Sequence, residues 1–368
     1  MNPCRAFGLF ALFLTIAVVT VVKAVSIPEK FTFVDSQGAS EEVERVKPAR
    51  QVAKGIYLTA QSAANPAKVE AMIKLIDSTE LNAVVIDTKD YTGKILYPTK
   101  VPLAVELKTA HPVMKDVPGI IKKFHDKNIY VIARQTVFQD PALANAKPSL
   151  AIGSKKGGLW RDNLGLAWVD PTKKEVWDYN VELAKESIAL GFDEINFDYV
   201  RFPTDGNLSL AVFATGTARR HENMATFYKY LSDSLFDEPA YISLDFFGFV
   251  MERHDGMLIG QRLVDANQVV DYISPMMYPS HYPKGYLGFE NPAANPGAVI
   301  SNGMKQGSKY FSSSTRAEVR PWLQAFHIGA RYDASKIRAQ IDAVEKYPNG
   351  GWLLWNASNN YSAAGLKK

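Results

Sequence analysis

The sequence predicts a single (β/α)8 barrel, and three observations predict it. Eight short segments rich in β-branched and aromatic residues recur along the chain. Amphipathic stretches of helical period separate most of them. Charged and aromatic residues collect where those short segments end. The strand candidates are GIYLTA (55–60), NAVVIDTKD (82–90), IYVIARQTVF (129–138), DEINFDYVRF (193–202), YISLDFFGF (241–249), DYISPMMYP (271–279), RPWLQAF (320–326) and GWLLWNA (351–357). Helical patterns fall at 66–78, 117–127, 173–190, 217–235, 296–306 and 334–346. An open doubly wound sheet is the alternative, but no glycine-rich phosphate turn follows the first strand. The barrel is expected to occupy 51–366 as one domain, since no repeat or low-complexity block interrupts it.

Ahead of the barrel, Arg5 precedes an apolar run over 6–22, and Val22-Lys23-Ala24 has the pattern of a signal-peptidase site. Residues 1–24 therefore read as a signal peptide or, given the length of the run, a membrane anchor, and the domain as extracytoplasmic: periplasmic, secreted or held at the cell surface. Residues 25–50 are polar, with the cluster EEVERVK, and read as a short linker. Cys4, the one cysteine, lies in the leader, so no disulfide is expected within the barrel. The net charge of +4 comes from scattered Lys and Arg, which is no nucleic-acid footprint; the N-terminal anchor would be the only membrane contact.

Barrel enzymes work at the carboxyl ends of their strands, so those ends supply the candidate site. The fourth segment, GFDEINFDYVRFP (191–203), interleaves core residues with acids; a carboxylate on a core strand is costly unless paired or used. It carries Asn196, Asp198 and Arg201. The second strand offers Asp87, Lys89 and Asp90, the third Arg134, and the loop beyond it Trp160. The fifth offers Asp245, the sixth Tyr278 and His281, the seventh Trp322 and Gln324, and the eighth Trp355. Several acids within a ring of aromatics is the composition of a carbohydrate cleft: aromatic faces stack on sugar C–H faces while carboxylates and amides bond hydroxyls.

Cleaving a glycoside needs two carboxyl groups in different environments. Asp198, with Arg201 three residues on, is the candidate ionised member, and Asp245, flanked by Leu244 and Phe246, the protonated one. Arg201 is expected to hold Asp198 ionised. The remaining candidates, Asp87, Lys89, Asp90, Arg134, Trp160, Asn196, Tyr278, His281, Trp322, Gln324 and Trp355, would bind a polysaccharide or glycan substrate. No cofactor and no metal are expected: the acids could hold a divalent cation, but histidine is sparse at the strand ends. A serine nucleophile is excluded because no GxSxG occurs. A barrel that binds sugar without cutting it is the alternative function, and a metal-dependent, deacetylase-like hydrolase a third.

The segments GIYLTA, LNAVVIDTKDYTGKILY, IYVIARQTVFQDP, WVDPTKKEVWDYN, GFDEINFDYVRFP, DFFG, IGQ, DYISPMMYPSHY, RPWLQAF and GWLLWNAS together resemble a bacterial family of TIM-barrel glycoside hydrolases, in order and over nearly all of 54–361. The resemblance implies a TIM barrel that cleaves O-glycosyl bonds. One departure is Ala325, where that family commonly has an acid after the seventh-strand Gln. The fourth strand is also distantly similar to that of family 18 chitinases. In that alignment Asn196 and Asp198 take the two aspartate positions and Val200 stands where the proton-donating Glu belongs, so the chitinase mechanism does not carry over.

Overall fold

The computed structural model describes residues 26–34, 40–216 and 219–368. Its centre is a closed sheet of eight strands: β1 (Ala53–Leu58), β2 (Ala83–Lys89), β3 (Tyr130–Thr136), β4 (Glu194–Asp198), β5 (Tyr241–Phe247), β6 (Tyr272–Met277), β7 (Trp322–Gln324) and β8 (Gly351–Trp355). Each pairs in parallel with the next, and β8 returns to β1 with Leu353 opposite Gly55, which closes the barrel. At the start of β8 the approach is too close for a side chain. Gly351 has φ of 106°, and a Cβ there would lie 2.0 Å from the Ala53 carbonyl oxygen.

Six longer helices pack outside: α1 (Pro66–Asp77), α2 (Val117–His125), α3 (Lys174–Ala189), α4 (Arg220–Ser234), α5 (Pro296–Gly307) and α6 (Ala334–Val344). Their starts follow from local chemistry. The Asn65 side chain accepts from the Ala67 and Lys68 amides ahead of α1, and Asp116 and Asp333 cap α2 and α6 in the same way. In α1, Val69, Met72, Ile73 and Ile76 make the buried face, the spacing of a helix lying on a sheet. Every strand expected from the sequence forms, in the same order. The fourth stops at Asp198 because Tyr199 turns left-handed, with φ of 54°.

Alternation divides the strand residues. Outward ones such as Trp352 and Leu354 join the helices in a large apolar layer, while Tyr57, Val85, Ile132, Tyr278, Trp322 and Leu353 fill the middle of the barrel. At its amino-terminal end the interior holds a buried ion pair, Glu194 with Arg320.

The 25–50 stretch differs from the expected linker. Ser26–Val34 and Ser40–Pro48 pair as an antiparallel hairpin. Arg45 and Lys47 are buried at the amino-terminal face, where Arg45 meets Asp271 and the Lys47 ammonium donates to the Ala240 carbonyl at 2.7 Å. A basic residue in a polar run reads as solvated, and only the waiting acid and carbonyls on the barrel bury these two. The expected signal or anchor segment, 1–24, lies outside the described residues. Among the described residues no helix is long and apolar enough to cross a membrane.

Candidate active site

The register of the sheet sets the site. Arg134 on β3 pairs with Asn196 on β4, and Asn196 with Ser243 on β5. Asp198 and Asp245, two residues further along neighbouring strands, therefore stand at one level. Adjacent strands are about 4.8 Å apart, and alternation points both carboxyls into the barrel mouth. Asp87 on β2 pairs with Arg134 and adds a third acid one layer below.

Arg134 organises the three. Its Nη1 donates to Asp87 Oδ1 at 2.6 Å, its Nε to Asp198 Oδ2 at 3.1 Å, and its Nη2 to that same Asp198 oxygen. The Nε atom also lies 3.9 Å from Asp245 Oδ2. With one nitrogen 3.1 Å from Asp198 and 3.9 Å from Asp245, the two Oδ2 atoms are no more than about 7 Å apart, an upper bound inside the roughly 5–9.5 Å range of paired glycosidase carboxyls.

The two acids have different surroundings. Asp198 Oδ1 accepts the Tyr199 amide at 2.6 Å, a bond made within the left-handed turn that ends β4. Asp245 is 1% exposed, and its Oδ1 accepts Asn196 Nδ2 at 2.8 Å and Trp322 Nε1 at 2.7 Å. Burial, reinforced by the neighbouring Asp198 charge, pushes the Asp245 carboxyl well above the usual carboxylate range despite the Arg134 cation. Both neutral donors fall on Oδ1, so Oδ2 is the oxygen left for a proton. Asp87, beneath, is also raised by burial; it is held by Arg134 and by the Tyr57 hydroxyl.

Above these groups opens a cleft of about 450 Å³, the size of a small-ligand pocket. Trp355 stacks on Tyr57 with ring centroids 3.9 Å apart and Trp322 stands edge-on to Trp355 at 5.4 Å, making one wall; Phe247, Phe249 and Tyr282 make the opposite one. Tyr278, Met276 and the exposed His281 complete it.

Of the residues singled out from sequence, the cleft brings together Arg134, Asp198, Arg201, Asp245, Tyr278, His281, Trp322 and Trp355. Asp87 and Asn196 lie directly behind them. Four others are elsewhere. Lys89 is buried against Asp140 at 2.6 Å and bonds Asn180 on α3, because a bulge between Asp87 and Lys89 shifts the register and turns Lys89 to the helix side. Asp90 caps its own turn by accepting the Thr92 amide. Trp160 is buried with its indole N–H on the Asn207 carbonyl. Gln324 accepts the Ser280 amide and donates to the Phe326 carbonyl, tying two rim loops together. The partner of Asp198 is also corrected. It is Arg134 from the neighbouring strand, while Arg201 turns to the Phe202 carbonyl and Thr204. Sequence reasoning missed Tyr57, Tyr199, Phe247, Phe249 and Met276. Tyr57 and Phe247 had a usable signal, the inward parity of their strands.

Residues 55–361 match the model of the family described as "Putative glycosyl hydrolase domain". The chain belongs to this family of glycosyl hydrolases. A hypothetical protein from Ruminiclostridium thermocellum is 38% identical over 52% of this chain and 96% of its own, with a TM-score of 0.48. The glycoside hydrolase domain of PgaB (BpsB) from Bordetella bronchiseptica superposes with a TM-score of 0.59 at 12% identity, covering 83% of this chain and 94% of that one. An alpha-L-fucosidase (isoenzyme 2) from Paenibacillus thiaminolyticus does so with a TM-score of 0.55 at 14% identity, over 82% and 45% of the two chains. At these identities the likeness concerns the barrel fold. A comparison with curated proteins returned no match.

Proposed function

We propose that this family member hydrolyses glycosidic bonds in a polysaccharide or glycan with Asp245 as the acid and Asp198 as its carboxylate partner. The observation that carries the reading is the pair itself: two strand-end carboxyls no more than about 7 Å apart, one of them desolvated and neutral-favouring. Asp245 Oδ2 would give its proton to the leaving glycosidic oxygen. Asp198 would attack the anomeric carbon or take a proton from the attacking water through Oδ1, the oxygen that carries only a backbone bond. Arg134 keeps Asp198 aimed, and the partly exposed Trp355, backed by the buried Trp322 and Tyr278, offers a face on which a sugar ring lies. Val200, buried in the apolar layer shared with the helices, takes no part. Among the described residues no group of three or more His, Cys, Asp or Glu is arranged to hold a metal. The apolar leader and its cleavage pattern support an extracytoplasmic site for the reaction.

The test is release of new reducing ends from an oligosaccharide panel by wild type, Asp198→Asn and Asp245→Asn. Wild type is expected to cleave at least one member, and each variant to lose about 10²-fold or more in rate while still binding it. Cleavage by Asp198→Asn at the wild-type rate would sink the assignment. Binding by wild type with no cleavage of any member would leave a carbohydrate-binding barrel in its place.

A further inference from the structure

Arg201 is the cation that the catalytic arrangement leaves over. It is 8% exposed and lines the cleft beside Asp198. Its guanidinium carbon lies 4.7 Å from the Phe247 ring centre, 5.1 Å from that of Trp168 and 5.2 Å from that of Tyr199, so three aromatic rings hold it in place. One of its nitrogens is used: Nη1 donates to the Phe202 carbonyl at 3.1 Å and to Thr204 Oγ1 at 3.4 Å. Among the described residues Nε and Nη2 make no hydrogen bond, and no carboxylate lies within salt-bridge distance of Arg201. The contrast with its surroundings is sharp. Arg134 is spent on Asp87 and Asp198, and the buried Arg320 is matched by Glu194. A buried cation without a direct carboxylate contact is costly: Asp198, Asp205 and Asp162 act on Arg201 only from beyond salt-bridge distance, and burial still pulls its guanidinium below its ordinary range.

The unused pair is chemically specific. Nε–H and Nη2–H form the side edge of the guanidinium, two parallel donors whose spacing matches the two oxygens of a carboxylate. We infer that Arg201 is the receptor for a substrate carboxylate, so that the glycan taken by this cleft is an acidic one carrying uronic-acid residues. The inference rests on the cleft being a glycan site and goes further by naming the class of glycan. The carboxylate would supply the direct contact that the surrounding acids do not make, and the three rings would fix the plane in which it is met.

The experiment separates this from hydrolysis by measuring binding alone. Full-chain Asp245→Asn protein, expected to bind without cutting, is titrated with oligogalacturonates and oligoglucuronates and with the same oligosaccharides after carboxyl reduction. That treatment keeps the sugar and linkage but turns each carboxylate into an alcohol. At least one uronate is expected to bind ten times or more tightly than its reduced counterpart, and adding Arg201→Gln is expected to bring that ratio close to one. Arg201→Lys, which keeps the charge and loses the fork, should fall between. Were Arg201 merely structural, its loss would weaken acidic and neutral ligands alike and leave the ratio standing, which overturns the inference. So would a wild-type cleft that binds neutral and acidic forms equally, binds sulfated glycans in preference to uronates, or binds none of the uronates. Melting temperatures of both variants verify the fold, and loss of the preference counts only for a variant that melts within a few degrees of its parent. If Arg201→Gln does not fold, the acidic-to-reduced ratio of Arg201→Lys decides. Uronate preference without cleavage by wild type would overturn the hydrolase reading and leave this one intact.

Discussion

Arg134 grips Asp198 through two donors on a single oxygen, with Nε 3.1 Å from Oδ2 and Nη2 on the same atom. A guanidinium fork fixes direction as well as charge, whereas an ammonium fixes charge alone. Arg134→Lys is therefore expected to keep much of the stability and lose about 10²-fold in kcat, because Asp198 is no longer aimed at the reacting carbon. Arg134→Met removes the cation from two buried acids and is expected to cost roughly 3–5 kcal/mol of stability. Denaturant melts beside steady-state kinetics check both. A lysine variant with wild-type kcat would show that the fork has no catalytic part.

The neighbouring carboxyl carries a pH signature. Asp245 is raised by burial and by the Asp198 charge, so the folded state binds a proton over a pH range in which the unfolded chain has released it. Stability from this proton is complete below the unfolded value, about pH 4, and is lost as pH rises through the folded value. As the proposed acid, Asp245 also makes kcat fall on the alkaline side. Asp245→Asn should lose about 10²-fold or more in rate yet melt at neutral and alkaline pH no lower than wild type, since the ionisation penalty is gone. A variant whose melting temperature declines with alkaline pH as steeply as wild type would place that penalty on another group.

The difference between what the sequence predicts and what folds lies in side-chain direction. Strand order was legible because β-branched runs and helical periods are local properties, and Asp198 and Asp245 could be picked out as acids among core residues. Which charge meets which was not. Arg201 is three residues from Asp198 in the chain, but the left-handed Tyr199 swings the backbone round, and the neighbouring strand delivers Arg134 instead. Lys89 has the parity of an inward residue; a bulge that no local pattern announces sends it outward. The hairpin at 26–48 failed for a similar reason, as Asp271, the acid that buries Arg45, lies 226 residues away.

The aromatic wall should act on binding more than on chemistry. Trp355 is partly exposed, stacked on Tyr57 and met edge-on by Trp322, so its outer face is available to a sugar. A stacking contact of this kind contributes about 0.5–1.5 kcal/mol beyond buried area. Trp355→Ala is expected to raise KM about tenfold with a smaller change in kcat, and Trp355→Phe to recover most of the loss. An unchanged KM in the alanine variant would remove Trp355 from the substrate path.

At the far end of the barrel, Glu194 and Arg320 form a buried pair outside the cleft lining, joined to Asp245 only through the Ser243 and Asn196 side chains. Glu194 Oε1 accepts from Arg320 Nη2 and, at 2.5 Å, from Ser243; Oε2 accepts the Tyr130 hydroxyl at 3.1 Å, and the Arg320 guanidinium sits 4.0 Å from the Tyr272 ring centre. Neither residue lines the cleft. Glu194→Ala strands a fully buried cation and is expected to cost roughly 3–5 kcal/mol, because breaking one side of such a pair leaves the other desolvated and unmatched. Replacing both by methionine removes the charges together, so the double variant should recover most of that loss. KM should remain at the wild-type value in both, measured below their melting temperatures. A double variant no more stable than Glu194→Ala would mean that the pair is holding the inward hydrogen bonds of Tyr130 and Ser243 in register rather than neutralising a charge.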